Sequence, residues 1–135
     1  MPSNPRLVNI SCLEQISTGG ILTAGFVIGG TTSEKVLIRA SGPSLAPFGV
    51  VGYIPDPSLT VYNNSTPIAV NTGWAGSSVV SNASTATGAF PFLNTSSKDS
   101  AVVLTLQPGS YTAQATSVSG TAGVTLIEVY EVPSN

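Results

Sequence analysis

A chain of 135 residues with 7% charged side chains, four of them basic, and a net charge of −2 cannot assemble a polyanion-binding patch, which excludes nucleic acid as a partner. Hydrophobic residues at 41%, grouped in short runs, exclude intrinsic disorder, and no run approaches the roughly 20 residues of a membrane helix. Histidine is absent, which removes the commonest general base and the commonest metal ligand together.

The length predicts one domain over 1–135, with 1–5 as an N-terminal extension and 133–135 as a tail. The opening MPSNPRLVNIS lacks the basic and long apolar regions of a secretory signal, so a leader has been removed or lies before this stretch. Period-two alternation of β-branched residues between Gly, Pro, Ser and Asn clusters then predicts strands at 7–11, 21–28, 35–40, 58–62 and 68–71. Cys12 is alone, so it is either a small buried hydrophobe or a partner for another chain. Gly25, inside the second strand, marks a bulge or a close backbone approach.

The stretch SGPSLAPFGVVGYIPDP at 41–57 reads as a crossover loop between sheets. Its GPSLA lacks the last glycine of a G-x-S-x-G nucleophile elbow, and the chain has no His to complete one. Asp56-Pro57 and, later, Lys98-Asp99 are expected to shape turns before strands by accepting local backbone N–H bonds. The carboxylates, Glu14, Glu34, Asp56, Asp99, Glu128 and Glu131, form no D-x-D cluster for calcium, so no cofactor or metal is expected. The sequons at Asn9, Asn63, Asn64, Asn82 and Asn94 matter only in a glycosylating host.

Trp74 stands in NTGWAGS, a polar, Gly-flanked loop. Two readings stay open: a plug for one end of the fold, or a sugar-stacking platform with Asn71 and Thr72 as hydrogen-bonding neighbours. The segment 77–86 is the best helix candidate, at one or two turns before Gly88. Three strands follow at 101–106, 111–117 and 124–132, with Gln107-Pro108-Gly109-Ser110 as a type II turn. Tyr111, Ala113 and Ala115 face one way and Thr112, Gln114 and Thr116 the other, and in the neighbouring strand Val102, Leu104 and Leu106 face the core. The last strand is apolar on both faces, Val124 and Leu126 against Ile127 and Val129, as in a central strand or one covered from outside. About eight short strands with at most one short helix give an all-β, two-sheet antiparallel β-sandwich of Greek-key or jelly-roll type.

The segments RLVNIS, AGFVIGG, VLIRASGPSLAPFGV, DPSLTVY, GAF and KDSAVVLTLQPGSYTAQATSVSGTAGVTLIEVYEV together resemble an all-β module that recurs near the C-terminus of large secreted or surface proteins of environmental bacteria. The resemblance runs from Arg6 to Val132 and implies an extracellular or cell-surface location and an accessory, non-catalytic role, with no catalytic residues to carry over. Residues 56–62 and 106–128 are also similar, more loosely, to bacterial pre-peptidase C-terminal domains, which are β-sandwiches. Where that family usually reads NDNW this chain has VNTGW at 70–74, and the missing Asp weakens any inference of a metal-assisted loop.

These readings converge on a non-enzymatic extracellular structural module, with no catalytic neighbour in the chain. The leading expectation is self-association with copies of itself into a fibre, layer or matrix through strand edges. Leu7, Val8 and Ile10 of the first strand and Ile127 and Val129 of the last are its candidate contacts. The alternatives are a carbohydrate-binding or adhesive module, taking polysaccharide or a cell surface at Trp74, and an anchoring domain of a larger secreted protein. An internal isopeptide bond from Lys35 or Lys98 is a further covalent option.

Overall fold

In the computed structural model, which describes residues 9–133, eight strands form two four-stranded antiparallel sheets that face each other across one core. The strands are β1 (Asn9–Ile16), β2 (Leu22–Ile28), β3 (Glu34–Ser41), β4 (Pro57–Asn63), β5 (Thr66–Asn71), β6 (Ser100–Leu106), β7 (Gly109–Ser117) and β8 (Gly123–Glu131). One sheet has the order β1-β8-β3-β6 and the other β2-β7-β4-β5. The expected β-sandwich is therefore present, with each of the eight strands near its predicted place. Leu7 and Val8, and the proposed extension before them, lie outside the described residues.

Side-chain alternation builds the core. In β7, Tyr111, Ala113 and Ala115 are buried against Phe26 and Ala24 of β2 and Val61 of β4, while Thr112, Gln114 and Thr116 are turned outward. Phe26 and Tyr111 stack with ring centroids 5.6 Å apart, and the Tyr111 hydroxyl donates to the Gln107 carbonyl at 2.6 Å. The opposite wall comes from Val36, Ile38 and Ala40 of β3 and Ile127 and Val129 of β8. β8 is a central strand, paired with β1 on one side and β3 on the other; Ile127 and Val129 face the core while Tyr130, on its other face, lies in a second apolar cluster, which accounts for its apolar character.

Three sequence expectations need correction. Val102 and Leu104 pack on the core and Leu106 is buried, as expected, but β6 and β7 are not paired. They lie in opposite sheets, so the Pro108-Gly109 turn carries the chain across the sandwich rather than closing a hairpin. Gly25 sits in unbroken register opposite Thr112; the irregularity lies instead between Val61 and Tyr62, where β4 meets β5. The helix α1 (Ser78–Thr87) lies within a residue of the expected segment but is continuous over ten residues, about three turns where one or two were expected. Ser77 caps it by accepting from the Val80 N–H at 3.3 Å, and Gly88 closes it in the left-handed conformation.

The crossover from β3 to β4 includes a 3₁₀ helix over Pro43–Phe48. Gly42 makes this corner possible, because a Cβ there would lie 2.1 Å from the Ile54 carbonyl oxygen. The chain thus folds back tightly against Ile54, and the 3₁₀ helix is held at the end of the sheet beside β8.

Candidate functional site

β3 reads EKVLIRAS, and since Val36, Ile38 and Ala40 face the core, Leu37, Arg39 and Ser41 face away from it. That outer face is not open to water. Helix α1 and the segment 88–99 cover it with a second apolar cluster that includes Leu37, Trp74, Val80, Phe92, Ala101 and Tyr130. Arg39 is consequently 0% exposed, a position where a charge survives only if paired. Its cross-strand partner is Glu128: Nη2 and Nε donate to Oε1 at 2.7 and 3.2 Å, and Nη1 donates to the Phe90 carbonyl at 2.6 Å. The guanidinium also lies 4.2 Å from the Phe90 ring centroid and 4.5 Å from that of Phe92.

The second carboxylate oxygen of Glu128 accepts from the Tyr130 hydroxyl. Burial, and then the bond to this carboxylate, push the Tyr130 pKa up from 10.0 to about 12. The folded chain therefore keeps this proton where the unfolded chain has released it. The resulting stability is fully present below pH 10 and disappears as pH rises to about 12. Urea midpoints measured across this window are expected to fall more steeply for the wild type than for Tyr130→Phe. Parallel curves would show that Tyr130 ionises as freely folded as unfolded.

Asp99 is a second buried hub, and its reach is long rather than local. Oδ1 accepts the N–H groups of Gly42 and Ser44 at 2.8 and 3.1 Å, and Oδ2 accepts the hydroxyls of Ser44 and Ser97 at 2.5 and 2.6 Å. It fastens the 3₁₀ helix to the start of β6. Asp56 likewise holds a distant loop, accepting from Ser117 Oγ at 2.8 Å and from Ser119 N at 3.2 Å. With two backbone N–H groups on one oxygen and two hydroxyls on the other, Asp99 ties Ser44 and Ser97 together as a fastening. Among the described residues no three His, Cys, Asp or Glu side chains come together to hold a metal.

Beside the Asp99 hub opens a cleft of about 310 Å³, lined by Pro43, Pro47, Phe48, Tyr53, Phe90 and Leu93, with polar groups from Ser44, Asn94 and Ser97. Phe48 and Leu93 are 62% and 75% exposed at its rim, and Phe48 packs edge-on against Phe90 at 4.9 Å. No charged side chain lines it. Sequence reasoning missed this cleft, although the unusual density of Pro and Phe in 43–48 and 90–93 was a usable signal.

The structure places the expected glycan-stacking group elsewhere. Trp74 is 5% exposed in the second cluster, packed edge-on against Phe92, and its indole N–H donates to Ser97 Oγ at 3.1 Å and the Asn94 carbonyl at 3.3 Å. It covers the outer face of a sheet rather than plugging the sandwich. Asn71 Oδ1 accepts from the Gly73 and Ala101 N–H groups, while Thr72 is exposed beside it. The three residues are near neighbours in sequence but present no open aromatic face. Lys35 and Lys98, the isopeptide candidates, are both exposed.

The sheet edges differ in how they are guarded. On β1, Ile10 and Cys12 pack on the core, and Glu14 occupies a position of the same parity, a charge that discourages further pairing. β5 carries Pro67 and the register shift opposite it. The free side of β6 is engaged at its start, where Ala101 N–H donates to Asn71 and the Asp99 carbonyl accepts from Trp74 N–H. β2 has none of these devices: LTAGFVI holds no charge and no proline, keeps regular register, and leaves Val27 63% exposed. Of the other candidate contacts, Ile127 and Val129 are in the core, on a strand paired along both sides.

No protein-family model matches the chain, and no curated protein matches it. Among solved structures it resembles the pre-peptidase C-terminal domain of collagenase from Bacillus anthracis, with a TM-score of 0.55 and 9% identity over 95% of this chain and 99% of that one. It also matches part of a family GH115 4-O-methyl-α-glucuronidase with specificity for decorated arabinogalactans, at 17% identity over 90% of this chain and 14% of the enzyme. The TM-score there is 0.37, too low to carry an argument. The chain thus has the fold of a pre-peptidase C-terminal domain, as the looser sequence likeness implied, and the likeness is one of fold.

Proposed function

We propose that the chain is a non-catalytic accessory module of an extracellular or cell-surface assembly, which associates with copies of itself by strand pairing along the free edge of β2. The observation that carries this reading is the contrast among the edges: β1, β5 and β6 each bear a recognisable guard, and β2 bears none. An unguarded, regular strand offers a row of backbone groups for a further strand, and exposed Val27 adds apolar area beside it. The fold fits the same role. The charged groups buried under the outer layer, Arg39, Glu128 and Asp99, are engaged by the chain's own donors and acceptors, which suits a load-carrying or anchoring part.

Sedimentation velocity and negative-stain imaging at micromolar concentration test the reading. The wild type is expected to assemble with rising concentration. Val27→Lys, which installs the guard that natural edges use, is expected to weaken assembly about tenfold or more with its melting temperature unchanged. A wild type that stays monomeric at every concentration sinks the strand-edge reading.

A further inference from the structure

We infer that the Phe48–Phe90 cleft is a docking site for an extended, proline-containing segment, and that its occupant is the Pro2-Ser3-Asn4-Pro5 stretch of a second copy. The chemistry of the lining selects the class. With no charged side chain in the cleft, a charged ligand would shed water without gaining a partner. The Ser44 and Ser97 hydroxyl protons are already committed to Asp99. The donors left over are the Tyr53 hydroxyl and the Asn94 side-chain amide, which donate to no other group among the described residues.

A site that offers aromatic and proline faces plus spare donors is matched by a polyproline II segment. Such a segment presents pyrrolidine rings and free carbonyl acceptors and brings few N–H groups that need satisfying. Its backbone is also partly ordered beforehand, so docking costs less entropy than for a flexible strand. A neutral sugar would bring many hydroxyl groups to a cleft lined mainly by aromatic, proline and leucine faces, and it is the weaker fit.

The sequence holds one P-x-x-P spacing before β1, at Pro2 and Pro5. Strand direction favours a partner's cleft over the chain's own. The chain enters β1 at Asn9, level with Tyr130 and Leu37, whereas the 3₁₀ helix follows Ser41, level with Leu126 and Leu13. Entry and cleft therefore lie towards opposite ends of the sheet. This contact is separate from the β2 edge and stands or falls independently of it.

The test uses full-length protein and a synthetic peptide of residues 1–8, followed by chemical-shift perturbation. The peptide is expected to move the Tyr53, Phe48 and Asn94 resonances, and a Pro2→Ala/Pro5→Ala peptide to bind about tenfold more weakly or worse. Phe48→Ala, at an exposed position, is expected to lose binding by a similar factor while keeping the wild-type melting temperature. If the alanine-substituted peptide binds as well as the native one, or Phe48→Ala binds it unchanged, the assignment is overturned. Shifts at the cleft from a neutral oligosaccharide but none from the peptide overturn it too. Val27→Lys should leave peptide binding intact, so a failed strand edge and a failed cleft give different results.

Discussion

Replacing Glu128 with alanine is expected to destabilise the fold by about 3–5 kcal/mol, on the scale of the whole stability of about 5–15 kcal/mol of a domain this size. The reason is what the substitution leaves behind. Arg39 would keep one carbonyl partner, at Phe90, and two aromatic neighbours, but no counter-charge and no exposure to water. The Tyr130 hydroxyl would lose its acceptor at the same time. A surface ion pair, by contrast, is worth roughly 0–1 kcal/mol. Urea unfolding separates the cases: the midpoint should drop sharply in Glu128→Ala. It should recover largely in the double variant Arg39→Met/Glu128→Met, which removes both charges and keeps the volume filled. A loss below about 1 kcal/mol for the single variant would mean that water reaches Arg39.

Asp99→Ala is the second large effect, on the order of 4 kcal/mol, because one side chain satisfies four donors. The damage should be local as well as global. With Oδ1 gone, the Gly42 and Ser44 amides lose their acceptor, and the 3₁₀ helix loses its tie to β6. Amide exchange at these two positions is expected to quicken ahead of exchange in β3 and β8. Asp99→Asn keeps one carbonyl oxygen and should cost about 1–2 kcal/mol. Unchanged protection at Gly42 and Ser44 in the alanine variant would show that the loop is held by other contacts.

Much of the architecture could be read from particular residues. The alternation of Tyr111, Ala113 and Ala115 with Thr112, Gln114 and Thr116 assigned both faces of β7, and the structure keeps that assignment. The two apolar faces of β8 announced a central strand, and the Ser77 and Gly88 boundaries marked the helix to within a residue. Pairing between strands was not legible, since alternation says which face is buried and nothing about which neighbour lies alongside. The fastenings were hidden for the same reason. Arg39 and Glu128 are 89 positions apart, and Asp99 reaches back 57 positions to Gly42, so a local reading made Asp99 a turn residue. One clue was present: each of VLIRAS and LIEVYEV buries a charge of opposite sign in an apolar strand, and neither charge is tolerable without the other. The cleft escaped notice because Phe48 and Phe90 are brought together by the crossover, not by spacing.

The register that joins Asn9 to Tyr130 and Ile16 to Gly123 gives the first strand a single ladder partner, and that partner is the last strand. On a ribosome β1 is made first and must wait until residue 131 has emerged before its hydrogen bonds in this sheet can form. Nothing synthesised in the interval can substitute, since the strands in between pair elsewhere. The sheet therefore closes only once β8 has left the ribosome, and a nascent segment that still lacks β8 carries no finished sandwich to jam a narrow pore.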